Sequence, residues 1–375
     1  MGTRTRNFAN NILSGGTIDG TDFLSGAVAA PNIANSSAVN VDSIPSISNV
    51  ISPVAGDPPS PALGDIWYNS VAKRLRYEGL GVASWATGGN MSTARYFTGG
   101  VGIQTAALAI GGYTPPSNTT TTATEEYNGS AWTSGGSMGT SRYRGHRAGI
   151  QTAALYTGGE QQPGSTRRSE SEEYNGSTWT AVNSMTSPNE LGWGDGTTSA
   201  AFIVGVAESP TAYGQVYYYD GTSWAAGTDI PDSSLYRGGS SGGGTQTAGL
   251  IYGGKQAGGS DQVATTYEGD GSTWTSVNSM GTARYDMAGG GSQTSNLCFG
   301  GGVNPLVFKN TTESYDGTSW SSTSNLSTAI TRNGGDTSSN TSAVSFGGGD
   351  NSPAVTAQTE EFTGASGTPK NFSND

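Results

Sequence analysis

Three doubled acids, Glu125-Glu126, Glu172-Glu173 and Glu360-Glu361, are the side chains of this 375-residue sequence best suited by type to do chemistry. Two adjacent carboxylates could divide general acid and base roles, or hold a metal ion together. Each pair lies in a short stretch of strand composition. Neighbouring strand residues point to opposite faces, so each pair is split. The pairs also recur at matching places in separate copies of a repeat, as scaffold would. The single histidine, His146, sits between Arg144 and Arg147 and is expected at the surface near the first strand of its repeat. The single cysteine, Cys298, lies in the apolar run Leu297-Cys298-Phe299; it excludes an intrachain disulfide and reads as a buried thiol. There is no nucleophile elbow, zinc motif or phosphate loop, and the Gly-Gly doublets end strands without opening helices. The expectation is a non-enzymatic protein with no catalytic residue, cofactor or metal.

What must position these residues is a block of about 47 residues that recurs six times. Its best-kept segment reads VGIQTAALAIGG from Val101, AGIQTAALYTGG from Ala148, GGTQTAGLIYGG from Gly243 and GGSQTSNLCFGG from Gly290. Weaker copies start at Gly196 and Ser338. The position of Gln104 returns at Gln151, Thr198, Gln246, Gln293 and Asn340, in steps of 47, 47, 48, 47 and 47. A period of this length marks stacked supersecondary units, none able to bury its apolar face alone.

Four strands fit each unit. The first follows a Met-x-Thr-Ala-Arg-Tyr lead-in (Met91–Tyr96, Met138–Tyr143, Met280–Tyr285), and the second is the QTAAL segment. The third ends in an aromatic: Tyr127, Tyr174, Tyr219, Tyr267, Tyr315 and Phe362. The fourth carries Trp132, Trp179, Trp224, Trp274 or Trp320. Asn-Gly or Asp-Gly between the last two strands predicts a two-residue type I′ turn, which needs positive φ at both residues. Around Asn128-Gly129 that register would place Trp132 opposite Glu125, with Tyr127 and Trp132 on one face.

An arginine in the lead-in accompanies a glutamate two residues before the aromatic in three units: Arg95 with Glu125, Arg142 with Glu172, and Arg284 with Glu313. Units three and four lack both partners, carrying Asn189 with Tyr217 and Ser234 with Thr265. In the sixth, Glu360 has only Arg332, displaced by two positions. Joint presence and absence predicts an ion pair inside each of the three units, because a lone charge between sheets is costly.

The Gly-Gly doublet, the Tyr-x4-Trp pair and the Met-x-Thr-Ala-Arg lead-in occur in the order used by kelch repeats, which about three quarters of the chain resembles. The resemblance implies an all-β fold, a kelch-like β-propeller of radially packed four-stranded sheets. Five units end in a tryptophan, and the sixth, from Ser321 to Phe362, has none. Trp85 is spare, so its strand is expected to complete a six-bladed ring; a seven-bladed ring using the hairpin at Trp67 stays open. Kelch propellers include copper oxidases, whose chemistry needs histidine ligands and a cysteine able to crosslink a tyrosine. One histidine and a distant cysteine do not match it. The segment GDIWYNSVAKRLRYEG from Gly64 resembles Gly-Asp-Ile-Trp-Tyr-Asn hairpins of bacteriophage tail-fibre and related structural proteins. Near-identical QTAALxxGG and EEYNGSxW repeats are similarly typical of structural proteins of aquatic phages.

Four zones follow: an extended, largely irregular N-terminal attachment arm over 1–63, a β-hairpin module and ring-closing strand over 64–85, the propeller over 86–365, and a polar tail over 366–375. Pro53, Pro58, Pro59 and Pro61 read as a stiff connector at the end of the arm. A net charge of −12 and 17 scattered Lys and Arg argue against a nucleic-acid partner, which needs a concentrated basic surface. No apolar run reaches the ~20 residues of a membrane span, and the first residues lack the apolar core of a secretory signal.

The resemblances imply a virion protein assembled in a host cytoplasm: a tail-fibre or tail-tip adhesin joined to other virion proteins through residues 1–63. A capsid decoration or spike without a receptor is the alternative, and a kelch enzyme or scaffold unrelated to phage a further one. A homo-oligomer is left open. Recognition of a host-surface glycan or protein is expected in the variable loops after each Gly-Gly, at Tyr113, Arg167, Arg168, Tyr213, Lys255 and Phe308, because loops vary without cost to the core.

Overall fold

The structure is a computed structural model that describes residues 53–61, 65–117, 119–190, 192–206, 214–231, 235–236, 241–256, 261–305, 307–350 and 355–371. They form two compact units: Ala83–Gly364, and Met1–Val82 together with Ala365–Asp375. Residues 1–52 of the expected arm, and the loop residue Tyr213, lie outside the described residues.

The unit Ala83–Gly364 is a six-bladed β-propeller. Each blade is a four-stranded antiparallel sheet, counted here from the axis outward. Blade one is Gly99–Ile103, Ala106–Ile110, Thr124–Tyr127 and Trp132–Ser134; blade two is His146–Ile150, Ala153–Thr157, Ser171–Tyr174 and Trp179–Val182. Blade three is Trp193–Thr197, Ala200–Val206, Gln215–Tyr219 and Trp224–Ala226; blade four is Ser241–Thr245, Ala248–Tyr252, Thr266–Gly269 and Trp274–Val277. Blade five is Ala288–Ser292, Ser295–Phe299, Thr312–Tyr315 and Trp320–Thr323. Blade six takes Gly334–Ser339, Ser342–Phe346 and Thr359–Thr363 from the end of the repeats and its outer strand, Ser84–Thr87, from before them. The innermost strands touch in succession from blade one to six and back to one, so the ring is closed. The hairpin at Trp67 belongs to the other unit and supplies no seventh blade.

Crowding at the axis explains the glycines. Gly102 has φ of +108°, and a Cβ there would stand 2.2 Å from the Ala106 carbonyl oxygen. Side chains would neither adopt that backbone nor fit it.

The repeat is legible as the interface between blades. Gln151 Nε2 donates to the Ala107 and Tyr127 carbonyls of blade one, at 2.9 and 2.7 Å. Gln246 does the same to Ala201 and Tyr219, and Gln293 to Gly249 and Gly269. The outer tryptophans reach back as well: Trp132 Nε1 donates to Thr359, Trp179 to Thr124, Trp224 to Ser171 and Trp320 to Thr266. Trp85 donates to Thr312 Oγ1 at 3.1 Å and packs edge-on against Phe299 and tilted against Phe362, so the closing strand uses the same device. These tryptophans are half-buried, so each contributes part of the roughly 1.5–3 kcal/mol that a fully buried aromatic gives by area.

Two local expectations need correction. Tyr127 lies directly opposite Trp132, with ring centroids 4.9 Å apart, and Trp132 does not face Glu125. The turn is centred one residue later, on Gly129-Ser130. Only Gly129 has positive φ, +88°, while Asn128 Oδ1 accepts the Ser130 and Ala131 N–H groups. The asparagine side chain thus closes the turn instead of adopting the left-handed backbone a type I′ turn requires. In blade four the residue opposite Trp274 is Gly269, not Tyr267, because Asp270-Gly271 sets the register.

In the other unit, Ile66–Asn69 and Arg74–Leu80 form an antiparallel hairpin, with Pro53–Val54 parallel on one side. Gly367–Asn371 pairs antiparallel with Arg76–Leu80, so the polar tail is a strand. The proline-rich stretch, expected as a stiff connector, is tied to this hairpin at Asp57. Asp57 Oδ1 accepts Trp67 Nε1 and Asn69 Nδ2, each at 3.0 Å, and Asp57 also pairs with Arg76. Those donors, Asn69 foremost, hold the Asp57 carboxyl below its ordinary pKa.

Candidate functional site

The doubled acids are divided between two structural tasks. Glu125 Oε1 accepts Arg95 Nη2 at 2.6 Å, Glu172 accepts Arg142 at 2.6 Å, and Glu313 accepts Arg284 at 2.8 Å. All three arginines are fully buried, and Arg95 also donates to the Gly111 and Ala123 carbonyls. The second acid faces the next blade, where Glu126 accepts the Tyr174 hydroxyl and Glu361 that of Tyr127. In blade six Glu360 accepts the Ser327 N–H and is not paired with Arg332, which turns to Asp286 instead. Cys298 is buried beside Met287, and burial pushes its thiol up to about 12.

His146 is fully buried, contrary to the surface position expected of it. Strand alternation sets it on the opposite face from Arg147, which lines the axial pocket, while Arg144 precedes the strand with left-handed φ. His146 Nε2 meets Asn189 Oδ1 at 2.8 Å, and Asn189 holds the place that arginine takes in blades one, two and five. Burial pulls the imidazole down to about 4, so it is neutral at pH 7.

The residues that come together at one end of the axis are ones that break the period. Immediately after each lead-in aromatic, or its equivalent Thr331, stand Phe97, Arg144, Asp286 and Arg332, all with left-handed φ between 52 and 59°. That backbone is uncommon for side chains of this size. Here it belongs to a latch between blades: Phe97 N donates to Arg332 O at 2.7 Å, Arg144 N to Phe97 O at 3.3 Å, and Arg332 N to Asp286 O at 2.8 Å. The main chain is common to these blades while the side chains differ. Together with Arg147 and Trp193 they line a pocket at the axis.

Guanidinium groups stack on rings throughout this mouth. Arg144 lies 4.4 Å and Arg332 5.0 Å from the Phe97 ring centroid, and Arg147 lies 3.7 Å from that of Trp193. Tyr96, Phe97, Tyr113 and Tyr143 form one aromatic cluster, with neighbouring centroids 5.0 to 5.9 Å apart. Arg332 Nε donates to Asp286 at 3.3 Å, while Arg144 keeps only long contacts, 3.5 Å to Glu190 and 3.8 Å to Glu160. Within the axis, Asp195 accepts the Gly196 and Gly244 N–H groups and Asp336 those of Gly102 and Thr337. Burial raises the Asp195 carboxyl to about 7 and lifts Asp336 well above its ordinary value, with Arg147 opposing both shifts.

The expected recognition residues separate into groups. Tyr113 joins the aromatic cluster, its strand pairing locally at Thr119–Thr120 and bridging to Tyr96. Arg167 Nε donates to Glu190 at 3.0 Å, linking it to Arg144. Lys255 lies 3.7 Å over the Tyr285 ring, beside Asp286. Arg168 turns away to Gln161 and Glu170, and Phe308 pairs opposite Gly302 without a ring contact among the described residues. Phe97, Arg144, Asp286, Arg332, Arg147 and Trp193 were not singled out from the sequence. The signal available was their variation inside an otherwise repeating frame. Among the described residues no group of three or more His, Cys, Asp or Glu could hold a metal ion, and no helix is long and apolar enough to cross a membrane. The chain matches no protein-family model, and no curated protein is significantly similar to it.

Proposed function

We propose that this chain is a non-enzymatic virion protein of a bacteriophage, a kelch-like propeller that acts as a tail-fibre or tail-tip adhesin. Residues 1–63 attach it to other virion proteins, and the axial mouth contacts the host surface. The observation that carries this reading is the mouth itself. Half-buried Tyr96, Phe97 and Tyr113 and the stacked guanidinium groups of Arg144 and Arg332 stand on a main chain common to several blades. A surface that varies on a constant frame is how a scaffold carries recognition. Aromatic rings offer apolar faces to sugar rings, and arginines offer directed donors. The non-enzymatic part is supported by the use of the doubled acids in ion pairs and interblade hydrogen bonds. The phage part rests on the resemblance of the hairpin at Trp67 and of the repeats.

The test is adsorption of the purified full chain to cells that the particle infects. Phe97→Ala and Tyr113→Ala should each reduce adsorption with little change in thermal unfolding. Charge reversal at Arg167 and Arg168 should disturb it less, since one pairs with Glu190 and the other turns away. A chain that adsorbs to no host cell or envelope glycan would overturn the adhesin reading in favour of a purely structural virion component.

A further inference from the structure

Three of the chain's 17 cationic side chains, Arg144, Arg147 and Arg332, line the axial mouth with Asp286, while Glu160 and Glu190 lie within 3.8 Å of Arg144 and the buried Asp195 and Asp336 act on Arg147. That concentration runs against a net charge of −12. These arginines differ from the buried Arg95, Arg142 and Arg284, whose carboxylates lie within 2.8 Å. The Arg144 side chain makes no hydrogen bond among the described residues, only the long ion pairs to Glu190 and Glu160, and its Nε is buried without a partner. The Arg332 side chain has a single bond, from Nε to Asp286, and its two Nη groups have none among the described residues. Both sit within 5.0 Å of the same Phe97 ring centroid. Glu160, Glu190 and Asp286 lie 3.3 to 3.8 Å from them, but only Asp286 accepts a hydrogen bond, so most of the guanidinium N–H groups are left unsatisfied.

Stacking occupies the face of a guanidinium and leaves its N–H edges free in the plane. Those edges match flat oxyanions, which accept two parallel bonds. The aromatic cluster of Tyr96, Phe97 and Tyr113 begins at the same ring. An anion alone would leave that apolar wall unused, and a neutral sugar would leave the guanidinium edges unpaired.

We infer that the axial mouth binds a sugar unit carrying an oxyanion, with the charge on Arg144 and Arg332 and the sugar ring against Tyr96 and Tyr113. The inference rests on the mouth being the recognition surface proposed above. A uronate carboxylate and a sugar phosphate share this chemistry.

The experiment titrates the full chain with glucuronic acid, with glucose 6-phosphate and with glucose, following Trp193 and ligand signals by NMR. At least one of the two acids should bind, and which of them does so identifies the source of the oxyanion. Glucose should bind at least about tenfold more weakly. Arg144→Gln and Arg332→Gln should each weaken the acid by a similar factor with only a modest change in thermal unfolding, since the latch uses their main chain and their side chains lose only partly exposed ion pairs. Arg332→Lys should rescue part of the loss, because it restores charge without the fork. Equal binding of glucose, binding of neither acid, or acid binding indifferent to both variants would overturn the inference. Host-cell adsorption measured on the same samples separates the two claims. Adsorption that survives both substitutions, with no acid bound, refutes the oxyanion and keeps the adhesin; acid binding without adsorption does the reverse.

Discussion

Replacing Arg95 with methionine should cost far more than one hydrogen bond. The side chain is fully buried, donates to Glu125 at 2.6 Å and ties up the Gly111 and Ala123 carbonyls at 2.9 Å each. Its loss would leave Glu125 buried, with only the Ser92 N–H, 2.7 Å from Oε2, as a donor. Removing one member of a buried pair costs about 3–5 kcal/mol, most of it the unpaired charge left behind. For a unit of this size that corresponds to a fall of roughly 5–8 °C in unfolding temperature. Glu125→Leu should cost a similar amount, because it strands the arginine instead. The double variant Arg95→Met/Glu125→Leu removes both charges and strands only three backbone groups. It should therefore be no less stable than the worse single variant, giving a coupling of at least ~2 kcal/mol in a double-mutant cycle. Blade three already folds without the pair, with Asn189 and Tyr217 at the two positions. Chemical denaturation of the four proteins reads the cycle. Single-variant costs that simply add, with coupling under ~0.5 kcal/mol, would refute the reasoning.

Three further outcomes are expected. Trp85→Ala should destabilise the propeller by about 3 kcal/mol, through lost packing against Phe299 and Phe362 and the lost bond to Thr312, and should raise hydrogen exchange in blade six; a cost under ~1 kcal/mol would deny that its strand closes the ring. Gln151→Ala should cost about 1–2 kcal/mol in denaturation, because it leaves the Ala107 and Tyr127 carbonyls without that donor, and no change would remove the interblade staple. His146 titrates at about 4 in the fold against 6.5 unfolded, so the unfolded chain binds the extra proton and stability is lost as pH falls from 6.5 to 4. Its neighbours Asn189, Gly192 and Arg147 offer no carboxylate to soften this. Relative to wild type, His146→Gln should gain stability across that window by up to ~3 kcal/mol, as read by thermal melts; a constant difference would contradict a buried neutral imidazole.

The ring was legible because the period is the interface. Gln151 and Trp179 recur because each reaches back to the preceding blade, so the same residues that announce the repeat also assemble it. The Arg–Glu geometry could be read from the coupled presence and absence of both partners across units. His146 was misplaced because its sequence neighbours are charged, whereas its environment is set by Asn189, 43 residues away in another blade. The strand at Gly367–Asn371 was hidden by a polar composition that pairs with the hairpin through main-chain bonds. The axial mouth depends on closure itself: Phe97, Arg144, Asp286 and Arg332 come from four blades and meet only when the ring is complete. No local pattern marks them, only their departure from the repeat.

The central claim is that this propeller is displayed on a particle with its axial mouth outward, and cryo-EM of the assembled phage tests it most directly. The account predicts density for the Ala83–Gly364 ring at a tail extremity, residues 1–63 in contact with other virion proteins, and the Phe97–Arg144–Arg332 end of the axis open to solvent. A ring whose mouth is buried against the particle, or a protein absent from the particle altogether, would contradict it.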